Sequence, residues 1–197
     1  MLDRHPWFAE TVCEGRPWAA SDRGGDPGVQ RELDGILQLL RRVDVDPDPG
    51  GATRLLAGLP GLDDRHRAVL ERVDRLFQRE AAAPCLRKGD FSLSNVMVAG
   101  GRVSGLIDFD EWGAAPAPLT DTADLLLSRL RHRDGVFWVE GLTRLWNDGT
   151  PGLGLGAVAA WLGHAGHGCR HLHHLLNRRW FQRVVLDVID ALDAMID

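Results

Sequence analysis

Three oxygen-bearing side chains, Asp90, Asn95 and Asp108, stand in the segment LRKGDFSLSNVMVAGGRVSGLIDFDE (86–111) at spacings that one β-hairpin would bring together. Two carboxylates and a carboxamide in one small volume suit a hard divalent cation. Mg²⁺ takes oxygen ligands, is commonly held by one or two carboxylates, and fills its shell with water and substrate phosphate. An Asp that is not a ligand is then free to accept or orient a hydroxyl proton. Metal, base and positioning are what phosphoryl transfer asks of a protein, which has little covalent chemistry to do. Asp110 and Glu111 stand at the rim of the same volume. The plainer reading is an acidic hairpin whose Asp and Asn residues only make turns. Asp-Phe-Asp alone does not separate the two readings; Gly-Asp-x4-Asn, a hairpin and Ile-Asp-Phe-Asp in succession favour the phosphotransfer site.

The hairpin itself is legible. Val96–Val98 and Val103–Ile107 are short β-favouring runs, and Ala99-Gly100-Gly101-Arg102 between them is a turn signal. A hairpin returns its outer ends to one place, so Asn95 before the first strand and Asp108 after the second are delivered side by side. Asp90 lies on the loop just before Asn95.

Lys88-Gly89-Asp90-Phe91-Ser92-Leu93-Ser94-Asn95 resembles the catalytic loop of the aminoglycoside phosphotransferase and choline kinase-like family, usually written His-Gly-Asp-x4-Asn. Ile107-Asp108-Phe109-Asp110 resembles that family's metal-binding segment. Pro116 to Ala123 is also similar, where an Asp commonly starts the next helix. By position, the resemblance gives Asp90 the role of base and Asn95 and Asp108 the roles of metal ligands, with Asp110, Lys88 and Ser92 as accessory candidates. It implies Mg²⁺ as cofactor, ATP or GTP as cosubstrate, and a small-molecule hydroxyl as acceptor. Acidic residues around the cleft would suit a cationic acceptor such as an aminoglycoside or amino alcohol. The fold it implies is α+β and mainly α-helical, a protein-kinase-like C-terminal lobe whose small hairpin carries the site. One departure is plain: the usual His is Lys88, the sole lysine of the chain. The family His holds the loop by hydrogen bonds to nearby backbone. An ammonium can donate such bonds without the fixed plane of an imidazole, so Lys88 reads as a structural replacement.

Composition bounds these readings. At 197 residues, 44% hydrophobic and 26% charged, the chain is of ordinary single-domain size and composition. A net charge of −5 argues against a nucleic-acid partner recognised through its phosphates. Cys13, Cys85 and Cys169 are odd in number and widely spaced, as expected of free thiols in a reducing compartment. MLDRHPWFAE lacks the apolar core of a signal peptide and no run approaches a membrane span, so no membrane partner and a cytoplasmic location are expected.

Along the chain, 1–18 reads as a hinge-like strand (7–16) closed by a Gly turn, and 19–84 as helical after a polar loop from Ala20 to Gly28. Val29–Val43 is amphipathic through Leu33, Ile36, Leu37 and Leu40. Asp46 to Gly51 is a loop, and a second helix begins near Asp63 with Val69, Val73, Leu76 and Phe77 as its stripe. Region 85–118 holds the loop, hairpin and metal-binding segment, with the Ala/Pro run after Trp112 as a semi-rigid loop. Region 119–197 is a helical subdomain. Its helices are expected from Thr120 or Asp121 as N-cap to about Arg131, over Gly135–Trp146, Leu155 to about Leu176, and Arg178–Ile196. Five His and one Cys between His164 and His174 include His167 and His171 at i, i+4. A transition metal would suit such types, but with no acidic residue in the segment a packed polar helix face is the simpler account.

A kinase-like fold also needs an N-terminal lobe with a phosphate-covering loop and a strand lysine. No such lobe fits before the hinge-like strand, and the Gly runs at Gly24-Gly25 and Gly152 to Gly156 lack flanking strands. Three readings therefore stay open: a phosphotransferase working with a separate N-lobe protein, a non-catalytic nucleotide- or small-molecule-binding or accessory protein, and a truncated gene product.

Overall fold

The computed structural model describes residues 13–21, 25–45, 51–80, 85–109, 111–171, 174 and 176–196. The fold is mainly helical with a small hairpin, as the sequence predicts, and carries two small antiparallel sheets. Strands β1 (Arg16–Pro17), β3 (Val96–Ala99) and β4 (Arg102–Leu106) form one sheet in the order β1-β3-β4; β2 (Cys85–Arg87) pairs with β5 (Gly113–Ala115) in the other. The hairpin β3–β4 turns at Gly100 and Gly101, both at positive φ, where glycine avoids a Cβ penalty. β5 departs from expectation, since its Ala-rich residues read as loop. Its place comes from pairing with β2 (Leu86↔Ala114), a long-range contact that local propensity does not report. Of the hinge-like strand, residues 1–12 lie outside the described part; β1 follows the Gly15 turn rather than preceding it.

Helix α1 (Trp18–Ser21) is a single turn within the expected loop, and α2 spans Pro27–Leu40. α2 starts two residues before the apolar stripe because Asp26 caps it, accepting from the Gly28 and Val29 amides, with Pro27 at its first position. Helix α3 (Gly51–Ala57) was not anticipated, and the 46–50 part of the preceding loop lies outside the described residues. Helix α4 (Asp64–Arg79) is capped by Asp63 and buries Val69, Leu70, Val73 and Phe77. After the hairpin come α5 (Thr120–Asp134), α6 (Trp138–Trp146) and α7 (Leu153–Arg170). Gly135 ends α5 in the left-handed region at φ 67 instead of starting the next helix. The last segment is not one regular helix: Arg178–Phe181 and Asp187–Met195 are α-helical and Gln182–Leu186 is a π turn. In that turn the Val184 carbonyl accepts from the buried Trp161 indole at 2.5 Å, which satisfies an indole that burial would otherwise leave unmet.

Two apolar clusters divide the interior. The larger joins α3, α4, α6, α7 and the C-terminal segment around Trp161, Leu142 and Ile189. The smaller lies between α2 and the hairpin and contains Trp18, Leu33, Phe91, Leu93, Val96 and Leu125. Phe91 and Leu93 come from loop 88–95 and are wholly buried, each such burial contributing about 1.5–3 kcal/mol. The loop is thus anchored in the core between its polar residues. None of the described helices is long and apolar enough to cross a membrane.

The seat of α5 depends on α7. A Cβ at Gly156 of α7 would lie 2.7 Å from the Leu119 backbone just ahead of α5. Gly156→Ala should therefore lose stability: overpacking costs about 1–3 kcal/mol, against about 1 kcal/mol gained in helix propensity. At Gly35 on α2, where an added Cβ meets nothing within 4 Å, the same change should stabilise by up to about 1 kcal/mol. Urea unfolding of the two variants checks the opposite signs.

Candidate active site

Loop 88–95 is held from behind by one face of α5. Asp121, Asp124 and Ser128, spaced i, i+3 and i+7, share that face. The Asp121 carboxylate accepts from the amides of Lys88 (2.8 Å) and Gly89 (3.2 Å), Asp124 from that of Phe91 (2.6 Å), and the Ser128 hydroxyl from that of Leu93 (3.0 Å). All three acceptors are buried, where an amide left without a partner costs about 1–3 kcal/mol. This corrects the expected helix start. The N-cap position is Leu119, with no side-chain cap, because Asp121 is turned to the loop rather than to its own helix. Burial pushes the Asp124 carboxyl up to about 7, helped by the charge of Asp90 and opposed by the Phe91 amide. Burial likewise raises Asp121, against its two amide bonds.

The loop reverses through Gly89 (φ 69) and Asp90 (φ 37), and the segment after the hairpin turns at Asp108 (φ 60). Glycine is required at 89, since a Cβ there would approach the Glu111 backbone and side chain to 2.5 Å. Asp tolerates the left-handed region better than most residues, yet such positions still cost about 1–3 kcal/mol each. Lys88 bridges both strained residues. Its side chain is 1% exposed, and its ammonium donates to the carbonyls of Gly89 (3.3 Å), Asp90 (3.4 Å) and Asp108 (2.5 Å). Burial pushes its pKa down while Asp90, Asp108, Asp121 and Asp124 pull it up. All three ammonium donors thus reach main-chain carbonyls, the loop-holding geometry expected of a residue standing where the usual His would be.

Asn95, in the 3₁₀ turn Leu93–Asn95, faces Asp90. Its Nδ2 donates to the Asp90 carboxylate Oδ2 (2.8 Å) and carbonyl (3.1 Å), which fixes the Asp90 side chain and leaves the Asn95 Oδ1 as an acceptor. The hairpin delivers its ends as the sequence predicts: Val96 pairs with Leu106, and the Ile107 amide bonds the Asn95 carbonyl at 3.0 Å. Asp108 follows at once, exposed. Lys88, Asp90, Asn95 and Asp108 are therefore brought together. The Ser92 hydroxyl bonds that of Ser94 at 2.8 Å and is not directed at this group by any described hydrogen bond. Asp110 lies outside the described residues.

The Asn95 Oδ1 and the Asp108 carboxylate are oxygen donors of the kind Mg²⁺ takes, few in number and open to solvent on the Asp108 side. Among the described residues no three His, Cys, Asp or Glu side chains gather into a group that could hold a metal ion.

The structure links Glu111, placed at the rim of the site from the sequence, to the His segment of α7, a contact the sequence did not indicate. Glu111 turns back under the loop and bonds His167 Nδ1 at 3.2 Å, and His167 Nε2 lies 3.0 Å from that of His171. Burial raises the Glu111 carboxyl against the pull of His167 and Arg87. His164 packs on Trp138 at 5.0 Å between ring centroids, and burial drops its pKa to about 4, with Arg131 adding to the shift. The polar face of α7 thus reaches the site through His167. A signal for Asp124 and Ser128 was present: polar residues at helical spacing, interrupting a stretch in which Ala123, Leu125 and Leu127 are buried.

A family model described as the phosphotransferase enzyme family matches residues 26–161. No curated protein matches the chain. Among solved structures, the fold is similar to ADP-bound aminoglycoside phosphotransferase APH(2'')-Ib, with a TM-score of 0.51 at 16% identity over 95% of this chain and 71% of that one. It is equally similar to the GDP complex of wild-type aminoglycoside 2'-phosphotransferase-IIIa, with a TM-score of 0.51 at 16% identity over 93% and 68% of the respective chains.

The Asp124 carboxyl binds its proton more tightly in the folded protein, at about 7, than at its ordinary 3.8. Its contribution to stability is therefore fully present below the ordinary value and is lost as pH rises toward about 7. Asp124→Asn keeps an acceptor for the Phe91 amide and removes the titration. Wild-type Tm should fall across that interval relative to the variant; parallel Tm–pH curves would contradict the assignment.

Proposed function

The chain belongs to the phosphotransferase enzyme family, and from that premise we propose that it serves Mg²⁺-dependent transfer of the γ-phosphoryl group of ATP or GTP to a hydroxyl of a small molecule. The observation that carries this is the Asp90–Asn95 pair beside Asp108: one Asp90 oxygen is pinned by the Asn95 amide at 2.8 Å, and the other is left to accept a proton. Asp90 takes the proton of the acceptor hydroxyl as its oxygen attacks phosphorus, a base in hydrogen-bond reach being the geometric requirement. Asn95 Oδ1 and the Asp108 carboxylate would hold Mg²⁺, which when bound offsets charge on the phosphates. The strained Asp90 and Asp108 backbones, fastened by Lys88, keep base and metal oxygens from drifting apart, and positioning supplies much of the acceleration in this chemistry. The nucleotides in the two similar structures, ADP and GDP, support a nucleotide cosubstrate without choosing the base. Aminoglycosides and amino alcohols belong in the first acceptor panel on the strength of the resemblance.

Lys88 is the sole lysine, and its ammonium is committed to three carbonyls. No lysine is left to pair with nucleotide phosphates, so turnover calls for another phosphate-covering group, such as an N-lobe supplies. The same fact favours a second reading, a nucleotide- or small-molecule-binding accessory protein that keeps the site without turnover.

Two measurements separate the readings. Calorimetric titration should show weak Mg²⁺ or Mn²⁺ binding that Asp108→Ala abolishes; equal binding by both proteins places the metal elsewhere. Nucleotide consumption against the acceptor panel should be slight for the chain alone and appear when an N-lobe is supplied. Asp90→Asn should then lower it about 10²–10⁴-fold while metal binding persists. Metal and nucleotide binding with no turnover under any of these conditions would favour the accessory protein.

A further inference from the structure

A cavity of about 380 Å³ opens between α3, α7 and the β2–β5 pair, a size suited to a small organic molecule. Its walls include the apolar side chains of Leu55, Phe77, Ala114 and Leu162, and its charged lining among the described residues is Arg87 and Arg170 alone. No described residue forms a hydrogen bond or ion pair with either guanidinium. The Nε of Arg87 is moreover shut off from solvent and has no acceptor. A buried donor without a partner is costly and calls for an explanation, of which an absent ligand is one. The position of Arg87 is built rather than loose. Its guanidinium lies on α7 at Gly163, where a Cβ would stand 2.3 Å from Nη1. The cavity adjoins the site. β2 carries Arg87 three residues ahead of Asp90, and Glu111, on the strip leading from Asp108 to β5, feels the charges of His167, Arg87, Asp90 and Arg170 together.

We infer that this cavity binds the acceptor through an anionic group of that acceptor, a carboxylate or a phosphate, received by Arg87 and Arg170 while its hydroxyl is presented toward Asp90. The inference rests on the phosphotransfer reading for the direction of the hydroxyl, but the anion site itself does not. A guanidinium fork matches the planar or tetrahedral oxygens of either group. Of the described carboxylates near the loop, Glu111 is engaged by His167, Asp121 and Asp124 by loop amides, and one Asp90 oxygen by Asn95, while Asp108 is exposed. An acceptor bearing only amines would meet two arginine charges at this wall, whereas an anionic group would find two cationic partners.

The test is equilibrium binding, without nucleotide, of four ligands that share a hydroxyl: glycerol 3-phosphate, glycerate, glycerol and ethanolamine. At least one of the two anions should bind about tenfold or more tighter than glycerol, the gain expected of a charge-assisted pair, and ethanolamine should bind no better than glycerol. Which anion binds more tightly distinguishes phosphate from carboxylate. Arg87→Gln and Arg170→Gln, each confirmed folded by circular dichroism and melting, should each lose about tenfold in anion affinity. Arg170 is exposed, so its variant tests the site even where Arg87→Gln fails to fold. Asp90→Asn should retain anion binding, which keeps a failed phosphotransfer reading apart from a failed anion site. Anions that bind no tighter than glycerol, tighter binding of ethanolamine, or undiminished anion affinity in folded Arg170→Gln would each overturn the proposal.

Discussion

The hydrogen bonds from loop 88–95 to α5 are the constraint on which the rest of the site depends. A loop carrying two successive left-handed residues, Gly89 and Asp90, has no ladder, and only the 3₁₀ turn at its end, to satisfy its main chain. Four of its amides instead reach Asp121, Asp124 and Ser128. Buried acceptors make those bonds strong and their loss expensive. The cost is electrostatic, visible in the raised carboxyls of Asp121 and Asp124, and Lys88 sets a positive charge among these acids. Removal from water and mutual attraction oppose one another in such a cluster; the geometry of bonds to Lys88 and from the loop amides decides in favour of order.

That order propagates in two directions. Inward, Phe91 and Leu93 lock the loop into the smaller apolar cluster, so at these two residues the side chain is fixed by the core and the amide by α5. Outward, Asn95 carries the loop into the hairpin, and the hairpin returns Asp108 to the Lys88 ammonium. The resulting circuit runs from α5 through the loop and the hairpin to Asp108. It couples Asp90, the proposed base, to the proposed metal ligands without requiring the rest of the fold to contact them. α7 supports the circuit at both ends, packing Gly156 on the Leu119 backbone and Gly163 on Arg87, which accounts for glycine at these two positions of an otherwise regular helix.

Much of this was legible in the sequence because it is local. The hairpin, the convergence of Asn95 and Asp108, the stripe of α4 and most of α2 follow from periodicity, turn residues and caps. What was not legible depends on partners distant in the chain. β5 is a strand only because Cys85–Arg87 lies beside it. Asp121 looked like a helix cap because nothing local reveals that its carboxylate is used by residues 32 and 33 positions earlier. The site residues divide in the same way. As candidates, Asp90, Asn95 and Asp108 declared themselves through type and spacing; Glu111 and His167 were named apart, and their contact, like that of Arg87 with Gly163, comes only from elements distant in the chain. The π turn near Val184 was equally hidden, since its distinguishing bond is to Trp161 of another helix.

The central claim, that α5 side chains hold the loop, is tested most directly by amide hydrogen exchange in wild type and Asp121→Ala, read residue by residue. The account predicts that the amides of Lys88, Gly89, Phe91 and Leu93 are protected in the wild type. In the variant, protection should be lost at Lys88 and Gly89 first, while the Val96 to Leu106 hairpin keeps its own. Rapid exchange of these four amides in the wild type, or unchanged protection of Lys88 and Gly89 in a folded Asp121→Ala protein, would contradict it.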